Sequence, residues 1–175
     1  DRVADFLHAL RDGQVQYAGA QVWIVRDGQA IYPVTGQRTA LPEAAEQART
    51  NNRMRREIDN ALAALNVLAG SEDERLRAAQ SMLQGATPER LPLLHKALAQ
   101  ESSPAVRTAL ELAQSAALLG SASAEQRMAA TAQLAQHASP AIRLLLSEQL
   151  ARETDEKVQV VLRRALAEVA DRLAW

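Results

Sequence analysis

From Leu41 to Ala174, leucine, isoleucine, valine and alanine return every three or four positions, in short runs broken by glycine, proline and serine. Apolar residues at this spacing share one face of an α-helix, and that face must be covered by another element. Stripes run through Met54, Ile58, Leu62, Leu65 and Leu68 or Ala69; Leu76, Ala79 and Leu83; and Leu91, Leu94 and Leu98. They continue through Val106, Leu110, Ala113 and Ala117; Met128, Thr131 and Leu134 or Ala135; Ile142, Leu145 or Leu146, and Leu150; and Val158, Leu162, Ala165, Val169 and Leu173. The breaks carry Gly70, Gly85, Thr87-Pro88, Ser102-Ser103-Pro104, Gly120 and Ser139-Pro140. Most pair a capping residue or proline with a fresh helix start, and Pro42 suits a first helical turn. Linkers this short fold successive helices back on one another.

The first 40 residues follow another pattern. Val3, Phe6, Leu7 and Leu10 make a short helix of residues 1–11, closed by Asp12-Gly13. Gln21 to Arg26 and Gln29 to Val34 are rich in β-branched and aromatic residues and flank Asp27-Gly28. That pair predicts a hairpin with a type I′ turn, whose second strand is an edge because Pro33 lacks an N–H to donate. An isolated hairpin is marginal in water, so it is expected to pack on the helices.

The helical segments repeat. A shift of 52 aligns Pro88 with Pro140, Leu98-Ala99 with Leu150-Ala151, Glu101 with Glu153, Val106 with Val158, and Leu110 with Leu162. Upstream, a shift of 51 aligns Glu74, Ala78, Ala79 and Leu83 with Glu125, Ala129, Ala130 and Leu134. The reading is a duplication of residues 71–120 in residues 121–172. Helix starts carry an acidic residue or proline, two positions, an apolar residue and often arginine: Asp73…Leu76-Arg77, Pro104-Ala105-Val106-Arg107, Pro140-Ala141-Ile142-Arg143 and, more weakly, Asp155…Val158-Gln159. This is the opening pattern of HEAT-type repeats. The expected fold is mainly α: a HEAT- or armadillo-like α-solenoid of about seven to eight short helices with a small N-terminal β-hairpin. Residues 1–40 form the helix and hairpin and 41–175 the repeats, in one structural domain.

Chemistry is sparse. There is no cysteine, which excludes disulfides and cysteine-ligated zinc. His8, His95 and His137 are scattered, with no partner at metal-ligand spacing. Ser139 stands where a helix cap belongs, and Glu72-Asp73-Glu74 and Asp155-Glu156 sit in first helical turns, where negative charge opposes the macrodipole. No catalytic, cofactor-binding or metal-binding residues are expected, and the chain reads as a non-enzyme. A formal charge of −1, and no aromatic residue between Pro33 and Ala174, argue against nucleic acid. No stretch approaches the length of a membrane span, and Asp1 to Asp5 do not resemble a signal peptide.

The one concentrated charge feature is Arg49-Thr50-Asn51-Asn52-Arg53-Met54-Arg55-Arg56. Asn51, Asn52, Arg53, Arg55 and Arg56 form a candidate protein-docking patch, because guanidinium forks match carboxylates. The competing expectation is local: Thr50 to Asn52 break and cap a helix, Arg53 pairs with Glu57, and Arg55 with Asp59.

Thr50 to Arg56, followed by Ala61-Leu62-Ala63-Ala64-Leu65 and Arg75-Leu76-Arg77-Ala78-Ala79, resembles the region ahead of the membrane spans in bacterial urea ABC-transporter permeases. Val34-Thr35-Gly36 resembles the β segment before that motif. The likeness is specific over residues 22 to 110 and generic beyond. It implies an extracytoplasmic, periplasmic accessory domain of a branched-chain amino-acid type importer, held at the inner membrane by a following permease region absent from this chain. Its partners would be permease subunits and the periplasmic substrate-binding protein, and its task assembly or docking. The alternative is a free-standing helical-repeat scaffold for another protein. A HEAT-like DNA glycosylase would need a basic groove with aromatics, which the repeats lack.

Overall fold

In a computed structural model the chain is mainly helical, with a small antiparallel sheet; the structure describes residues 2–174. The expected helix start at Asp1 lies outside the described residues. The fold divides into two compact units, Asp1–Leu65 and Asn66–Trp175, with the boundary inside a helix.

The first unit opens with α1 (Arg2–Arg11), closed by Gly13 at φ 71°. Five strands follow: β1 (Val15–Ala18), β2 (Gln21–Arg26), β3 (Gln29–Ile31), β4 (Arg38–Thr39) and β5 (Glu46–Gln47). They form one antiparallel sheet in the order β4-β3-β2-β1-β5. The expected hairpin is β2–β3: Arg26 pairs with Gln29, and Asp27 and Gly28 both take the positive φ that a type I′ turn requires (51° and 73°). The edge assignment fails. β3 stops at Ile31 and is paired on both sides, leaving Pro33 in the turn that follows. Nor is residue 41 onward helical: Pro42 accepts a turn hydrogen bond from Ala45, and Glu46 and Gln47 pair with β1. Such two-residue strands lie below what periodicity can detect.

Side chains alternate across a strand, so Trp23 and Ile24 point to opposite faces of the sheet, and both are buried. Ile24 joins Ala9 and Val15, with Phe6, Leu10 and Ala48 around them. Trp23 lies 6.3 Å from the Tyr32 ring. Arg26 ties sheet to helix, donating to Gln14 and to Asp5 at 2.8 and 2.9 Å.

Helix α2 (Asn52–Ala69) runs across the boundary. The second unit then holds α3 (Glu72–Met82), a 3₁₀ turn (Pro88–Arg90), α4 (Leu91–Gln100), α5 (Pro104–Leu118), α6 (Ala124–Ala135), α7 (Pro140–Arg152) and α8 (Glu156–Leu173). Helices α3 and α4 both pack on α5, as α6 and α7 pack on α8, and α5 packs on α6.

The two triplets match position for position at an offset of 52. Ser71 and Ser123 both cap their helices through the side chain, and Ser103 and Asp155 stand at the N-caps of α5 and α8. Buried Ala78, Ala79 and Met82 correspond to buried Ala130, Thr131 and Leu134. The upstream register is therefore 52, not 51; Met82, rather than Leu83, holds the inward place of Leu134. Leu83 instead packs against the core formed around α6, α7 and α8.

The strongest correspondence is ionic. Arg75 grips Glu101 through Nε and Nη2 at 2.8 and 3.0 Å, and Arg127 grips Glu153 through the same atoms at 2.8 and 2.9 Å. In each pair Oε1 of the glutamate also accepts the next two backbone N–H groups, from Ser102 and Ser103 or from Thr154 and Asp155. Each guanidinium also donates to a carbonyl at its own helix start, Gly70 or Ser121. One carboxylate thus ties the first helix of a triplet to the loop before the third. The glutamate side chains are only 3% exposed, and their pairing, despite burial, holds both carboxyls at about 2 against an ordinary 4.5.

Candidate interaction surface

The arginine-rich stretch lies at the start of α2, where the chain leaves the sheet. Asn51 caps the helix: its Oδ1 accepts the Met54 N–H at 2.8 Å, and Asn52 is the first helical residue. Both asparagines thus serve the helix start, and both are exposed. The buried face of α2 in this unit is set by Ile58 and Leu62. At 3.6 residues per turn, Arg53 and Arg56 fall on the opposite face, whereas Arg55, three positions before Ile58, lies beside the buried one. Both Arg53 and Arg56 are exposed, and neither has an ion-pair partner among the described residues.

The expected local pairs do not form. Asp59 is held by Arg11 of α1, Nε to Oδ1 at 2.8 Å, and Arg55 donates instead to the Thr50 hydroxyl at 3.2 Å. A basic residue four positions ahead of an acidic one is the weaker orientation on a helix, so a guanidinium arriving from α1 wins. The five patch residues therefore do not share one role. Asn51 and Asn52 build the helix start, Arg53 and Arg56 face solvent, and Arg55 turns toward a cleft.

That cleft, of about 630 Å³, is lined by Arg11, Asp12, Gly13, Gln47, Ala48, Arg49, Thr50 and Arg55. It exists because β5 pairs with β1: Ala48 donates to Val15, and Gln47 Nε2 donates to the Gly13 carbonyl at 2.7 Å, which lays residues 47–50 beside the end of α1. Arg49 also borders a second cleft of about 620 Å³ with Tyr17 and Glu46. There the Tyr17 hydroxyl donates to Glu46 at 3.1 Å, and that hydrogen bond, with the carboxylate charge behind it, raises the phenol pKa. Arg49 stands in the arginine-rich run but outside the five-residue patch, and Arg11 and Gln47 carry no signal in the sequence. Their meeting depends on a two-residue strand that carries no periodic signal.

No known family, characterised protein or solved structure matches this chain. The histidines remain apart and exposed, and Ser139 caps α7 through the Ile142 N–H at 3.2 Å. Among the described residues no group of three or more His, Cys, Asp or Glu is placed to hold a metal ion, and no helix is long and apolar enough to cross a membrane.

Proposed function

We propose that this chain is a non-catalytic accessory domain of a bacterial urea ABC importer, extracytoplasmic and joined in the full-length protein to a membrane permease. Its task is to assist assembly or to dock the substrate-binding protein. The observation that carries the reading is the start of α2. The stretch that resembles the permease family is capped by its own Asn51, while Arg53 and Arg56 are left to solvent without ion-pair partners among the described residues. Guanidiniums not used within the unit are available to a partner's carboxylates.

The second unit is proposed as a short α-solenoid, two three-helix repeats in succession. The repeated Arg–Glu clasp and the matched caps support this. So does the contrast between α5 and α8. Leu112 and Leu119 pack against the core of the second triplet, whereas the positions 52 later, Arg164 and Asp171, are charged and exposed. Arg164 instead pairs with Glu168 in solvent. A solvated outer face is what a capping repeat presents.

The test is a photo-crosslinker placed at Arg56 in the full-length protein within the assembled importer. Adducts with the substrate-binding protein or a permease subunit are expected. Adducts with neither, or a reading frame that ends at Trp175, would favour the free-standing scaffold instead.

A further inference from the structure

The cleft at the junction of α1, β5 and α2 has a more specific chemistry than the exposed arginines of the patch. We propose that it receives a carboxylate-bearing segment of a partner protein, an Asp- or Glu-rich peptide, gripped by Arg49 and Arg55. This rests on the reading of the chain as a contact module, though not on which partner supplies the segment.

Three guanidiniums line the cleft, and the structure uses them unequally. Arg11 is neutralised by Asp59 at 2.8 Å. Arg55 makes one neutral hydrogen bond, to Thr50, and Arg49 has no hydrogen-bond or ion-pair partner among the described residues. Each therefore keeps donor N–H groups for a ligand, and a planar fork with free donors is suited to a bidentate carboxylate. The fourth charge is Asp12, whose carboxylate opposes an anionic guest. A single carboxylate must then outweigh Asp12, which favours a segment carrying several. Gln47 is held by its bond to Gly13, so the cleft wall near Arg49 is fixed before any ligand arrives.

The experiment is fluorescence anisotropy of the whole chain with a labelled hexaglutamate peptide at low salt, with hexalysine as control. Binding of hexaglutamate and not hexalysine is expected. Changing Arg49→Ala with Arg55→Ala should weaken it about tenfold or more, the loss of two charge-assisted contacts. Arg53→Ala with Arg56→Ala should leave it within about twofold, as expected for charges outside the cleft. Asp12→Asn should tighten binding, a gain that a merely structural role for these residues would not produce. If the alanine pair alters the circular dichroism spectrum, Arg49→Gln with Arg55→Gln replaces it, and the Asp12→Asn arm stands regardless. Wild-type protein that ignores the peptide, equal losses in the two arginine pairs, or displacement by millimolar inorganic phosphate at constant ionic strength would each overturn the proposal. None of these outcomes depends on the importer, so failure here is distinct from failure of the crosslinking test.

Discussion

Glu101 and Glu153 carry the largest resolved carboxyl pKa depressions among the described residues, with smaller ones at Glu74, Glu89 and Glu125, so these two should dominate the acid response. Each carboxyl is held at about 2 when folded, chiefly by its arginine, against an ordinary 4.5. A depressed folded-state pKa adds stability that is fully present above the unfolded value and lost as the pH falls through the folded one. Resistance to urea should therefore hold above about pH 5 and fall steadily between about pH 4.5 and pH 2. Midpoints measured across that range should show a shallower fall in Glu101→Gln or Glu153→Gln, and an unchanged slope would contradict the assignment. Truncation is harsher. Glu153→Ala strands Arg127, two backbone donors and the Gln149 amide in a site whose arginine side chain is only 14% exposed, so about 3 kcal/mol of stability should be lost in chemical denaturation. Glu101→Ala should cost somewhat less, because Glu101 shares the arginine and the two backbone donors but lacks the bond that Gln149 Nε2 gives Glu153 at 3.0 Å.

At the scale of elements, caps and turns carry the next contributions. Ser71 and Glu74 form a reciprocal capping box at α3, with bonds of 3.3 and 2.8 Å. Ser71→Ala should cost about 1 kcal/mol by urea midpoint. Gly28→Val places a β-branched residue at φ 73° and should cost about 1–2 kcal/mol. Emission from Trp23 in a Trp175→Phe background reports that loss, since Trp23 lies in the sheet that the turn builds. The helices and this hairpin were legible because each carries a long periodic run or a turn dipeptide with one preferred geometry. The arginine clasps were half legible: the 52-residue shift paired Glu101 with Glu153, but a one-residue slip upstream, drawn by Leu83 against Leu134, hid the match of Arg75 with Arg127. The sheet beyond the hairpin was not legible. β4 and β5 are two residues each and polar, held by backbone pairing that any side chain permits. The cleft depends on one of them, so it too lay beyond pattern reading, although the arginines on its rim did not.

At the scale of the molecule, two compact units share one chain and keep distinct interiors, a sheet-and-helix core around Ile24 and a helical core around Leu146 and Leu162. The second unit spends its buried ions on holding helices in register, and the first leaves two guanidiniums in an open cleft. That division of labour sets a clasped framework apart from the contact cleft proposed above. It is tested by a calorimetric titration of the whole chain with the purified substrate-binding protein of the proposed urea importer, at low and at moderate salt. Saturable binding that weakens with salt is expected, weaker again in the Arg49→Ala, Arg55→Ala protein, while Glu153→Gln binds as wild type. Heat-silent mixing of the wild-type proteins, confirmed by an absence of co-elution, or binding indifferent to both arginines, would contradict it.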